Sequence, residues 1–166
     1  MKETGIFYGS SSGKTESVAV RIYEKLGSPD VAIHDIAETN LSEMMNYRNL
    51  IMGIPTWGIG EMQSDWLPVL SLLKNMDLTG KTVALFGLGD QESYPDTFGD
   101  AVGRLYDVLL ETGCSITGTW NGPDYNFDRS KALREDGFVG LLLDEDNQAD
   151  RTETRIKQWL KTLHFA

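Results

Sequence analysis

With 166 residues, 40% of them hydrophobic and 24% charged, the chain has the composition of one well-buried globular domain, too short for two ordinary ones and too apolar for disorder. A formal net charge of −10 speaks against nucleic acid and anionic membrane as partners and favours basic protein surfaces. The single cysteine, Cys114, excludes an internal disulfide; His34 and His164 stand in no motif, so no metal site is expected.

No stretch is long and apolar enough to cross a bilayer, and Met1 to Gly5 carry no signal-peptide pattern, so a cytoplasmic protein is expected. Ile6, Phe7 and Tyr8 end a first buried strand, and Val18, Ile22 and Leu26 recur at helical spacing, which predicts a helix from about Gly13 to Leu26. Val31 to Ile36 reads as a second strand, Leu41 to Asn46 as a short helix, and Asn49 to Ile54 as an apolar strand closed by Pro55. Ser64 can cap a helix running through Trp66, Leu70 and Leu73, with Pro68 early enough that its missing N–H does little harm. Thr82 to Leu88 is the most continuous apolar run and suits the sheet centre. Val102, Leu105 and Leu109 mark the next helix, Ser115 to Trp120 a further strand, and Ile156, Trp159, Leu160 and Leu163 a last helical face.

This alternation predicts an α/β fold in which a five-stranded parallel sheet is doubly wound, with helices on both faces. One segment interrupts it. Residues 121–137 are rich in Gly, Asp, Asn and Arg, and the apolar run Phe138 to Leu143 resumes only afterwards, as an insertion into the last strand would.

In such a sheet ligands bind beyond the carboxyl ends of the strands. The first loop there reads Gly9-Ser10-Ser11-Ser12-Gly13-Lys14-Thr15, rich in hydroxyls and placed at a helix N-terminus, which favours an anion. It is one residue short of the nucleoside triphosphate loop G-x-x-x-x-G-K-[ST], because only three residues separate Gly9 from Gly13; one phosphate fits it better than two. A ligand-free serine-rich turn is the plain alternative. The second loop, Pro55 to Glu61, and the third, Gly87 to Tyr94, each set one large aromatic, Trp57 or Tyr94, among glycines and acids. Singly, each aromatic is an ordinary surface anchor; as a pair they could sandwich a flat ring.

A planar ring at one end and a single phosphate at the other describe flavin mononucleotide (FMN). The chain closely resembles flavodoxins of the long-chain type over its whole length. The likeness rests on the serine-rich loop, Ile54 to Trp57, Phe86 to Gln91 and Phe138 to Gln148, in the family's order. It implies strand order 2-1-3-4-5, a single domain over residues 1–166, and noncovalent FMN. By that match Ser10, Ser11, Ser12, Gly13, Lys14 and Thr15 hold the phosphate, with Lys14 directed to solvent. Trp57 covers one ring face and Tyr94 the other. Pro55, Thr56, Gly58, Ile59, Gly60, Leu88, Gly89 and Asp90 line the ring and ribityl chain, with Asp90 accepting from the pyrimidine edge, and Asp146 lies on the ribityl or phosphate side. Gly58 and Leu88 depart from common family choices.

The implied function is that of a low-potential one-electron carrier, not an enzyme, in which FMN shuttles between semiquinone and hydroquinone. A carbonyl at Gly58 would turn toward flavin N5, and Glu61, Asp65, Asp90, Glu92, Asp96, Asp100, Asp144, Glu145 and Asp146 would disfavour the second electron. The partners implied are basic surfaces of a flavodoxin or ferredoxin reductase and of acceptor enzymes, met transiently by a monomer. An FMN-dependent quinone reductase and a phosphate-responsive signalling module of the same sheet type are the rival readings. The first lacks a His base, nucleophile or Arg clamp on these loops, and the second does not need paired aromatics.

Overall fold

The computed structural model describes residues 1–165. Near-continuous apolar runs form its central strands, as parallel strands covered on both faces require. β1 (Lys2–Tyr8) lies between β2 (Val31–Asp35) and β3 (Tyr47–Trp57), and β3 is followed in the sheet by β5 (Thr82–Leu88), all parallel, with Ile6 opposite both Ile33 and Ile51, and Leu50 opposite Val83. β4 (Glu61–Met62) folds back antiparallel on the end of β3.

The fifth sheet position is filled by two short strands. β6 (Ser115–Thr117) pairs with the start of β5 and β9 (Leu141–Leu143) with its end, so the sheet order runs β2-β1-β3-β5 and then β6 and β9 in line. The interrupted last strand expected from the sequence is therefore present. Between its halves the chain makes a small antiparallel hairpin of β7 (Leu133–Arg134) and β8 (Gly137–Phe138), and Trp120 bridges to Phe138. Phe98, Tyr125, Phe127 and Phe138 cluster there with ring centroids 5.2–6.4 Å apart, and the Arg155 guanidinium lies 4.0 Å from the Tyr125 ring centre.

The chain moves one way from β1 to β2 and the other way from β3 onward, so right-handed crossovers put helices on opposite faces. α1 (Lys14–Leu26) is joined to α4 (Thr152–Leu160) by Arg21 and Lys25, which both pair with Glu153. α2 (Trp66–Leu73) touches α3 (Asp100–Leu109). Ile6, Phe7, Ile51, Met52, Leu85, Phe86, Val18, Ile22, Leu105 and Trp159 are among the fully buried core side chains.

Several boundaries differ from the sequence reading, each for a local reason. β3 continues through Pro55 to Trp57 because residues 56–57 pair with β4, so the segment after Pro55 is a hairpin and not a free loop. α2 starts at Trp66 with Asp65, not Ser64, as its N-cap residue, and the Asp65 carboxylate instead accepts from Gln63 Nε2 at 2.5 Å. β6 stops at Thr117 because Gly118 turns to φ +86, where its carbonyl accepts from Trp159 Nε1 at 2.9 Å. Phe138 belongs to the inserted hairpin, so only Leu141–Leu143 rejoins the sheet, and α4 ends before Leu163.

Gly53, at the middle of β3, lies so close to Phe86 that a Cβ would overlap the ring. Gly53→Ala is expected to cost about 3 kcal/mol of stability, while Gly80→Asn, at φ +85 with nothing within 4 Å of the added Cβ, costs less than about 1 kcal/mol; urea unfolding of the two variants checks both.

The His34 ring stacks on Phe7 with centroids 4.7 Å apart, and its Nε2 is 2.6 Å from Tyr47 Oη. Burial pushes its pKa below the ordinary 6.5. A histidine held neutral by folding contributes stability above the unfolded pKa, and that contribution is lost as pH falls toward the lower folded pKa. Stability measured by urea titration is therefore expected to fall between pH 7 and pH 5, and to fall less in His34→Gln.

Candidate functional site

The carboxyl ends of β1, β3 and β5 converge where the strand order reverses, and their loops enclose one cavity of about 310 Å³. At its first wall, Gly9 N–H donates to the Gly53 carbonyl at 3.2 Å, tying the serine-rich loop to β3. Gly13, at φ +87, turns the chain into α1 and donates to Ser10 Oγ at 3.0 Å. The first bond along the helix runs from Ser17 N–H to the Gly13 carbonyl at 3.0 Å, so the N–H groups of Lys14, Thr15 and Glu16 have no helical acceptor. Ser12, Lys14 and Thr15 face the cavity.

The second wall is the turn between β3 and β4, with Pro55, Thr56, Trp57 and Gly58. Thr56 Oγ1 accepts from Ala101 N–H at 3.0 Å, which locks this wall to the start of α3. Trp57 keeps 42% of its surface exposed and Ile59, at the tip, 75%.

The third wall is Leu88, Gly89, Asp90 and Tyr94. Gly89 N–H donates to the Leu143 carbonyl at 3.0 Å and Tyr94 N–H to that of Asp90 at 2.9 Å; the tyrosine is 41% exposed and lines the same cavity as Trp57. Asp90 Oδ1 accepts from Ser93 N–H at 2.9 Å, Glu92 N–H at 3.2 Å and Asn147 Nδ2 at 2.8 Å. Burial alone would raise the Asp90 pKa, but these donors outweigh it and hold the carboxyl below the usual carboxylate range.

A fourth wall comes from the turn after β9. Asp144 is fully buried and accepts from Gln91 N–H at 3.1 Å, Gln91 Nε2 at 2.9 Å and Asn147 N–H at 3.0 Å, so it pins the third wall to the fourth. Glu145 and Asp146 then line the cavity. Lys14 Nζ meets Asp146 Oδ1 at 2.5 Å across the mouth, and that carboxylate raises the Lys14 pKa. Among the described residues no group of three or more His, Cys, Asp or Glu could hold a metal, and no helix is long and apolar enough to cross a membrane.

An anion-ready helix N-terminus and two half-exposed aromatics line this same cavity, and the family model described as Flavodoxin matches residues 6–159. The chain belongs to the flavodoxin family. It is 48% identical to a flavodoxin of a Nostoc species over 162 residues, covering 98% of this chain and 95% of that one. It is 43% identical to flavodoxin 1 of Escherichia coli over 164 residues, covering 98% and 93%. Among solved structures, Fusobacterium nucleatum flavodoxin bound to flavin mononucleotide superposes with a TM-score of 0.91 at 32% identity, covering 97% of this chain and 96% of that one. Oxidised flavodoxin 1 of Bacillus cereus gives 0.69 at 26%, covering 98% and 99%. Flavodoxins are electron-transfer proteins rather than enzymes and serve redox partners, so the quinone-reductase reading falls.

Of the residues picked out in the sequence, Ser12, Lys14, Thr15, Pro55, Thr56, Trp57, Gly58, Leu88, Gly89, Asp90, Tyr94 and Asp146 line the one cavity. Ser10, Ser11 and Gly13 belong to the same loop without lining the cavity, Ile59 stands at the exposed hairpin tip, and Gly60, at φ +91, backs onto Asp100 and Thr97. Lys14 is held by Asp146 rather than directed freely to solvent. Glu145, expected only as one of the acids that disfavour the second electron, also lines the cavity. Asp100 and Asp144, counted among the acids around the ring, are buried anchors instead: Asp100 Oδ1 accepts from Lys131 N–H at 2.8 Å, and Asp144 is filled by its donors.

The side chains of Lys14 and Asp146 are about half exposed, at 50% and 46%. A double-mutant cycle with Lys14→Met and Asp146→Asn is expected to give a coupling below about 1 kcal/mol in apoprotein stability, shrinking further in about 0.5 M salt.

Proposed function

We propose that this flavodoxin carries electrons one at a time on noncovalently held FMN, with the phosphate in the Ser10–Thr15 loop and the ring between Trp57 and Tyr94. The observation that carries the reading is that one cavity is lined both by the start of α1, whose first N–H groups have no helical acceptor, and by the aromatics Trp57 and Tyr94. The residues fit the group. Helix N–H groups and hydroxyls supply donors for a phosphate, the aromatics supply apolar faces for a flat ring, and at Gly58 an added Cβ would meet nothing within 4 Å, so that wall has room beside its backbone.

Bound there, FMN supplies two one-electron steps whose energies the protein sets. Trp57 and Tyr94 exclude water from the ring faces. Asp90, held ionised by three donors, is placed to accept from the pyrimidine edge. The Gly58 carbonyl accepts from Thr97 Oγ1 at 3.5 Å, a long and weak bond. Gly58 sits at φ +48, and without a side chain its peptide can turn that carbonyl toward a ring N–H at flavin N5 at little steric cost.

The exposed carboxylates Glu61, Glu92 and Asp96 stand on the same loops. They disfavour added negative charge in the cavity and steer basic surfaces of reductases and acceptors into brief encounters with a monomeric carrier. A carboxylate about 10 Å from the ring, at an effective dielectric of about 20–40, contributes on the order of 1 kcal/mol, or about 40 mV for one electron.

A spectrally monitored redox titration of the FMN-loaded protein tests the reading. Two separated one-electron potentials are expected, the lower one rising by tens of millivolts in Glu61→Gln/Glu92→Gln; apoprotein that stays colourless with added FMN would refute it. Trp57→Ala and Tyr94→Ala are each expected to weaken FMN binding by at least about 0.5–1.5 kcal/mol, read by fluorescence titration.

A further inference from the structure

Gln63 is fully buried although its position just before α2 gives it no apolar role. It sits directly behind the serine-rich loop: a Cβ on Gly9 would lie 2.5 Å from Gln63 Oε1 and 2.7 Å from the Trp66 indole, so the loop rests on both side chains. The amide nitrogen, Nε2, donates to Ser11 Oγ at 3.1 Å and to Asp65 Oδ2 at 2.5 Å. The Asp65 carboxylate only accepts, and this fixes which end of the amide faces the loop.

A serine hydroxyl has one hydrogen to give. Because Ser11 Oγ is occupied as an acceptor by Gln63, its own hydrogen must point elsewhere. The same holds for Ser10 Oγ, which accepts from Gly13 N–H at 3.0 Å. Neither hydroxyl hydrogen has an acceptor among the described residues.

Gln63 Oε1 is buried without any hydrogen-bond partner. An unsatisfied buried carbonyl costs stability, and an unbranched apolar side chain would avoid that cost. The amide is thus kept where packing alone would not keep it; its nitrogen serves two acceptors, the Asp65 carboxylate and Ser11 Oγ, and of these only Ser11 belongs to the serine-rich loop.

We propose that Gln63 is a positioning residue for the phosphate loop: by donating to Ser11 Oγ it turns that hydroxyl outward, so that its hydrogen is offered to a phosphate monoester. The inference rests on the reading of the cavity as an FMN site. It places the influence of Gln63 at the phosphate end and nowhere along the ring.

The test compares FMN with riboflavin, which lacks the phosphate, in binding to full-length apoprotein. Gln63→Met is expected to weaken FMN about tenfold and to leave riboflavin within about twofold. In a Ser11→Ala background Gln63→Met is expected to cost nothing more, because the hydroxyl it orients is absent. Equal losses for FMN and riboflavin would show a merely structural role and overturn the proposal, as would unchanged FMN affinity or additive losses in the double variant. Wild-type protein that takes up no FMN would overturn the site reading as well, so the two failures are distinguishable.

Discussion

β5 is buried on both faces, and its backbone groups on the side away from β3 must find partners. That requirement organises the second half of the molecule. Ser115–Thr117 covers one end of the strand and Leu141–Leu143 the other, so the chain has to leave the sheet and come back. Its return delivers residues 144–146 to the carboxyl end of β5, beside the loops of β1 and β3. Buried Asp144 then collects the Gln91 and Asn147 donors, and a cavity that three loops would leave open on one side acquires its fourth wall.

The acidity of the chain divides along the same lines. Asp144 and Asp100 are spent inside, one closing the site and the other receiving Lys131 N–H from the inserted segment. Glu153 is drawn down to a pKa of about 2 by Lys25 and Arg21, and joins two helices. What faces solvent on the loops of the site is a smaller set that includes Glu61, Glu92 and Asp96. A net charge of −10 says nothing about this partition, because equal residues in one acidic run go to opposite uses.

The fold was legible wherever one residue type admits one local explanation. Apolar runs gave the strands, the spacing of Val18, Ile22 and Leu26 gave α1, and a glycine-poor gap of three residues separated a single-phosphate loop from its longer rival. Legibility ended where an outcome depends on a distant partner. Trp120 and Phe138 both look like ends of the last strand, yet they bridge to each other inside the insertion. Asp65 rather than Ser64 stands at the head of α2, and its carboxylate is occupied by Gln63, a pairing that no helix-start pattern encodes. Gln63 itself is an unremarkable glutamine in sequence; only its burial behind Gly9 gives it a role.

The divided fifth strand also makes the molecule tolerant of change in one place. Residues 118–140 leave and re-enter the sheet at fixed points on β5, and closing a loop costs only about 0.6 kcal/mol for each doubling of its length. Segments of other lengths could therefore be grafted between Thr117 and Leu141, provided that they still cover Phe98 and keep the bonds that brace the site, from Asn126 N–H to Gln91 Oε1 and from Lys131 N–H to Asp100 Oδ1. The length of the excursion is thus free to change where those bonds are kept, and fixed where they are not.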